Sequence, residues 1–168
     1  MAPSVNRGDH FFVSRRAYDF SLPQRGDVVV FYVPLYRAYF VKRIVGLPGD
    51  QVQMIHGRLF VNGAEIPVRR LGDVVVECET GKICQAAQYE ETYPGGKKGL
   101  VLDQVSDGPL DNTGAFLVSE NSYFVLGDNR DNSNDSREDM GFIPLSGIVG
   151  KLAYKFFVAG HWVWQPID

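Results

Sequence analysis

The stretch Tyr39-Phe40-Val41-Lys42-Arg43-Ile44-Val45 decides the fold class. Apart from Lys42 and Arg43, every residue in it is aromatic or β-branched, the types that suit a pleated, half-buried surface. A strand points successive side chains to opposite faces. Phe40, Lys42 and Ile44 therefore share one face, and Val41, Arg43 and Val45 the other. A lysine on an apolar face must carry its ammonium out to water or lose its proton. An ordinary lysine, with a pKa near ~10.4, is only about 0.4% neutral at pH 8. If Lys42 is a base, burial has to lower that value by a few units.

Outward from this strand the same signals recur. Asp27–Val33 is a second long apolar strand, and Phe11–Val13 a short one. Leu47-Pro48-Gly49-Asp50 is a turn. Gln51–Ile55 and Arg58–Val61 form a hairpin around His56-Gly57, followed by a second turn at Asn62-Gly63. The chain of 168 residues holds 21 Val against 7 Ile and 12 Leu, with 11 Phe, 8 Tyr and 18 Gly. That composition predicts a mostly β, antiparallel protein with little helix; one short turn near Pro144–Val149 is the best helical candidate. Composition shifts after Ile66. Residues 67–114 read as an inserted smaller β subdomain, with strands at Val74–Val76 and Leu100–Leu102, between two parts of one barrel-like core, 1–66 and 115–168.

The net charge of −3 gives no basic surplus for a phosphate backbone, so nucleic acid is not an expected partner. No apolar run reaches the ~18 to 20 residues of a membrane-spanning helix. The two cysteines, Cys78 and Cys84, are too few for a structural zinc site, and His10, His56 and His161 show no ligand spacing. No metal or cofactor is expected. A local disulfide is the stronger reading of the cysteines, with free thiols the alternative. It would stabilise the chain by about 2 kcal/mol in a chain-entropy description and point to an oxidising compartment.

A second informative segment is Gly127-Asp128-Asn129-Arg130-Asp131-Asn132-Ser133-Asn134-Asp135-Ser136-Arg137. Read as a calcium loop from Asp131, it has Ser136 where glycine belongs and Phe142 where glutamate belongs. Its alternating charges and interleaved Ser and Asn suit a self-satisfied hydrogen-bond network. The third segment is the beginning, Met1-Ala2-Pro3-Ser4-Val5 with Gly8-Asp9.

Taken in order with Arg25-Gly26-Asp27-Val28-Val29-Val30-Phe31, Lys42-Arg43-Ile44-Val45-Gly46-Leu47-Pro48-Gly49-Asp50 and Gly141-Phe142-Ile143-Pro144, these segments resemble the bacterial type I signal peptidases. The resemblance covers the first ~65 and last ~50 residues, and an ordered set of motifs carries more than any lone pattern. It implies a serine endopeptidase with a Ser/Lys dyad that removes signal peptides of the Ala-x-Ala type from exported preproteins. Lys42 is then the general base, and Ser133 the hydroxyl that orients its amine. Arg43, Asp128, Asp135 and Arg137 form a supporting ion-pair network. Pro3, Val5, Phe11, Phe40 and Val41 are candidate contacts for an extended substrate, with a core role the alternative. The Cys78/Cys84 spacing is similar to a disulfide of Gram-negative members.

The family's nucleophilic serine precedes the Met that is Met1 here, and Ser4 occupies a different family position. The chain is therefore expected to be a truncated catalytic domain, inactive alone. Its membrane-spanning segments would lie upstream, anchoring it at the bacterial inner membrane with the domain in the periplasm. A second reading is a non-catalytic β module of the periplasm that binds extended peptides; an unrelated secreted β-barrel is a remote third. Thiol titration of unreduced, unfolded protein is expected to find no free thiol; two per chain would mean both cysteines are reduced.

Overall fold

The computed structural model describes residues 1–77 and 83–167. Strands dominate, and the one helical segment among the described residues is a single turn, Leu145–Gly147. The largest sheet contains β1 (His10–Ser14), β2 (Val28–Val33), β3 (Ala38–Gly46), β11 (Ser122–Leu126), β12 (Ile143–Pro144), β13 (Ile148–Val158) and β14 (His161–Pro166). Its order is β1-β13-β2-β3-β11-β12, with β14 also paired to β13. A second sheet is ordered β10-β4-β5-β6, from β4 (Gln51–Ile55), β5 (Arg58–Val61), β6 (Ala64–Glu65) and β10 (Phe116–Leu117). A third contains only β7 (Val68–Glu77), β8 (Ile83–Thr92) and β9 (Lys98–Asp103). Every strand pairing is antiparallel.

β3 sits between β2 and β11 in the large sheet; from Lys42 to Gly46 it is buried on both faces, whereas Tyr39 near its start is exposed. Its alternation is the one read from sequence. Ile44 and Phe40 pack with Phe31, Tyr123 and Val125, whereas Val45 packs with Val52, Met54, Leu59 and Phe124. Val41 joins a third cluster with Val28, Leu152 and Ile167. The hairpin β4–β5 turns at His56 (φ 48°) and Gly57 (φ 72°), the two left-handed positions such a turn requires.

Two regions differ from the sequence reading. β8 was not anticipated, because Gln85, Gln88, Glu90 and Glu91 break any apolar period; it is held between β7 and β9 instead. β13 and β14 extend well past the single turn expected near Pro144–Val149. Cys84 is disulfide-bonded, while Cys78 lies outside the described residues.

β1 crosses β13 so closely that Gly150 has no room for a side chain. A Cβ there would stand 2.5 Å from the Ser14 carbonyl oxygen and 2.9 Å from Val13 Cγ1. Gly150→Ala is expected to destabilise the chain by about 1–3 kcal/mol, as overpacking against backbone does. Urea denaturation measures it, and an unchanged midpoint would show that β1 can shift away.

Candidate active site

Lys42 leaves β3 on the Phe40 and Ile44 face and is buried, with 8% of its surface exposed. Its Nζ donates to Ser133 Oγ at 2.6 Å. Burial is the largest influence on this amine and lowers its pKa; Arg137 lowers it further, and Asp135, Asp128 and Glu138 pull the other way without prevailing. Met1 lies beside it: burial and then the Lys42 charge lower the pKa of the Met1 amine.

Gly127 makes the contact possible, because a Cβ there would collide with Ser133 and stand 3.3 Å from Lys42 Nζ. The Gly127 N–H donates to Asp135 Oδ2 at 3.0 Å. Arg137 grips the same carboxylate with two nitrogens, Nε to Oδ1 at 2.9 Å and Nη2 to Oδ2 at 2.9 Å. Burial raises the Asp135 pKa, but the Arg137 bonds and charge, the Gly127 N–H and the Ser133 hydroxyl outweigh it and leave it below the usual carboxylate value. On the opposite face of β3, Arg43 Nε and Nη2 meet Asp128 Oδ1 and Oδ2 at 2.9 and 3.0 Å. Arg43 also donates to the Gly26 carbonyl at 2.8 Å and to Ser4 Oγ at 3.1 Å, which ties the N-terminal segment to the pair.

Every residue expected in the ion-pair network is thus brought to this site. The candidate substrate contacts divide. Val5, Phe11 and Val41 gather with Met1, Val28 and Leu152 in one cluster. Phe40 lies on the other face, stacked 6.3 Å from Phe31 and with its ring tilted against Tyr36 at 5.5 Å. Pro3 lines a cavity of about 360 Å³ with Ser4, Lys155 and Gln165. A larger cavity, about 540 Å³, runs past Met1, Val5, Val75, Val76, Asn129 and Asn132.

Sequence reading missed Glu91, Tyr93 and Arg130, which form a buried cluster behind Asp128. Arg130 stood inside the polar motif, but nothing in the spacing marks Glu91 as its partner. Among the described residues, Asp103, Asp111 and Asp131 are the one group whose ligand atoms gather within 4.8 Å. Asp131 Oδ2 already accepts the Gln104 and Val105 N–H groups, and Asp111 Oδ2 that of Gly108. Burial and mutual repulsion raise the Asp103 and Asp111 pKa values, so the group is organised to tie loops together.

A lysine held against a serine hydroxyl, desolvated and flanked by carboxylates already committed to arginines, is suited to accept a proton. Comparison with known proteins identifies the family. A family model described as "Signal peptidase, peptidase S26" matches residues 1–157. A signal peptidase I of Rickettsia typhi is 37% identical over 142 residues, covering 80% of this chain and 52% of that protein. The signal peptidase I of Rickettsia canadensis matches with the same identity and coverage. A signal peptidase I structure from Enterococcus faecalis aligns over 79% of this chain and 98% of that one, with 25% identity and a TM-score of 0.48. The chain belongs to the signal peptidase family, peptidase S26. It spans about half the length of the Rickettsia relatives it matches.

The lowered Lys42 pKa makes stability depend on pH. Unfolded, the amine titrates near ~10.4; folded, it titrates lower. Between those values the unfolded chain binds the extra proton, so folding stability rises with pH across that window. Lys42→Met removes this slope. Relative to the variant, the parent chain is expected to gain stability as pH rises toward ~10.4, with no further gain above it. Urea denaturation of both proteins across that range checks it; a constant difference would mean the amine titrates as it does in water.

Proposed function

We propose that this domain, within its full-length protein, is a serine endopeptidase that removes signal peptides from exported preproteins. Lys42 is its general base, and the serine directly preceding Met1 in the longer chain is its nucleophile. The observation that carries the reading is the 2.6 Å contact between the buried Lys42 amine and Ser133 Oγ beside Met1. Neutral Lys42 takes the proton of the serine hydroxyl as its oxygen attacks the scissile carbonyl. The resulting ammonium gives that proton to the departing amine of the mature protein. An acyl-enzyme remains; water, deprotonated by the same lysine, attacks it, the lysine returns that proton to the departing serine oxygen, and the signal peptide leaves as a carboxylic acid. Ser133 keeps the amine aimed, and Asp135, locked by Arg137, holds Ser133's loop in place.

The substrate lies as an extended strand, with small residues such as Ala at the first and third positions before the cut. Val5, Phe11 and Val41, which share one apolar cluster with Met1, support shallow pockets for them. Phe40 and Pro3 would border the cleft from separate directions. Among the described residues no helix is long and apolar enough to cross a membrane. The proposed setting is the bacterial inner membrane, with this domain in the periplasm and its anchor elsewhere in the full-length protein. The bonded state of Cys84 accords with an oxidising compartment.

Three proteins test the proposal against a preprotein: this chain, the chain extended upstream through the serine segment, and the extended chain with Lys42→Ala. Cleavage is expected only from the extended form, with Lys42→Ala lowering it by at least about 10²–10⁴-fold. Its kcat/KM is expected to rise with pH through the Lys42 titration. Activity in this chain alone would place the nucleophile within it. An active Lys42→Ala variant would remove the base assignment, and binding without cleavage by the extended form would favour a peptide-binding module.

A further inference from the structure

Glu91 belongs to the three-stranded sheet, and Arg130 to the loop that carries Ser133. Arg130 Nη2 donates to Glu91 Oε2 at 2.6 Å, with side-chain exposures of 5% and 2%. The same oxygen accepts the Tyr93 hydroxyl at 2.6 Å. Arginine cannot shed its charge, so this pair is a fixed electrostatic tie in a closed interior. The Arg130 Nε is buried without a hydrogen-bond partner, so the orientation of the guanidinium rests on Nη2 and Glu91.

The backbone of Arg130 is held as well. Its N–H donates to the Leu102 carbonyl at 2.9 Å, and the Leu102 N–H donates to the Asp128 carbonyl at 2.7 Å. The Arg130 carbonyl accepts Arg137 Nη2 at 2.6 Å, and Arg137 in turn grips Asp135. Ser133 lies between Arg130 and Asp135, so both ends of its short loop are fixed.

We propose that Glu91 and Arg130 are positioning residues for the Lys42–Ser133 pair, the three-stranded sheet supplying the charge that fixes where the Ser133 loop sits. The role assigned to the pair rests on the base assignment of Lys42. In consequence, residues 67–114 are not a detachable insertion: their Glu91 belongs to the scaffold of the active site.

The test is the titration of the Lys42 amine, followed by NMR of lysine-labelled protein in this chain. Asp128, Asp135, Arg137, Glu138 and the Met1 amine, the charges that act on Lys42 or lie beside it, are left in place. Loss of the Glu91 charge by itself would lower the Lys42 pKa, because a negative charge favours the ammonium. A loosened loop instead admits water and raises it. Glu91→Gln is therefore expected to move the titration upward. Arg130→Lys keeps the charge but loses the planar guanidinium whose Nη2 meets Glu91, and is expected to do the same; it also serves if Glu91→Gln does not fold. Glu90→Gln, which alters an exposed pair with Arg69 and Lys98, is expected to leave the titration in place. A downward or absent shift in the Glu91 and Arg130 variants would overturn the inference. In the extended, cleaving protein the same two variants are expected to lower kcat by roughly 10- to 100-fold with KM within about twofold. An extended parent that fails to cleave would refute the proposed function, whereas the Lys42 titration would still decide the positioning role.

Discussion

The bidentate pair between Arg43 and Asp128 is the constraint around which the site is arranged. Both side chains are almost wholly buried, and the desolvation of two charges is costly enough that such a pair seldom adds net stability. What it adds is a unique position. Four donated bonds from one guanidinium join β3, the turn at Gly26, the N-terminal segment at Ser4 and the start of the polar loop at Asp128. No shift of β3 by one residue is compatible with those bonds, because a slip would send Arg43 to the apolar face and Lys42 to Asp128.

That register gives two neighbouring cations opposite treatment. Arg43 cannot become neutral, so it is fully paired, and Asp128 raises its pKa against the effect of burial. Lys42 can become neutral, and it receives a hydroxyl in place of a carboxylate. Asp128 and Asp135, two of the acids that act on it, are committed to Arg43 and Arg137, and with Glu138 they do not outweigh burial. On the proposed reading of Lys42 as the base, the side chain that lacks a committed charge partner is the one whose protonation changes.

Much of this was legible in the sequence because it is written in local patterns. The alternation along residues 39–45 depends only on period two, and the turns at Gly49, Gly57 and Gly63 on residues that tolerate positive φ. The Lys42–Ser133 contact spans 91 positions; only the ordered motifs, not any property of either residue, joined them beforehand. Glu91 and Arg130 lay beyond that reach. A polar strand such as β8 shows no periodicity when its faces are both half-buried, and a buried glutamate looks, in sequence, like the half-buried Glu90 beside it. Phe40 and Val41, both expected as substrate contacts, lie on opposite faces of β3, as the alternation of a strand requires.

A base made by burial, as proposed for Lys42, would tie chemistry to packing in a way that a histidine base would not. Histidine titrates near neutral pH without help, and the three histidines here are exposed. Lysine reaches a usable pKa only while water stays out. The apolar neighbours on its face, Phe40 and Ile44, and the clusters they join with Phe31, Tyr123 and Val125, therefore act on the proton affinity of the amine without touching substrate. Loosening that packing would rehydrate Lys42 before it unfolded the sheet. Proton affinity at this site is thus the more sensitive gauge of core integrity: the fold tolerates a small loss of packing, whereas the neutral fraction of the amine falls tenfold for each ~1.4 kcal/mol that water returns to the ammonium.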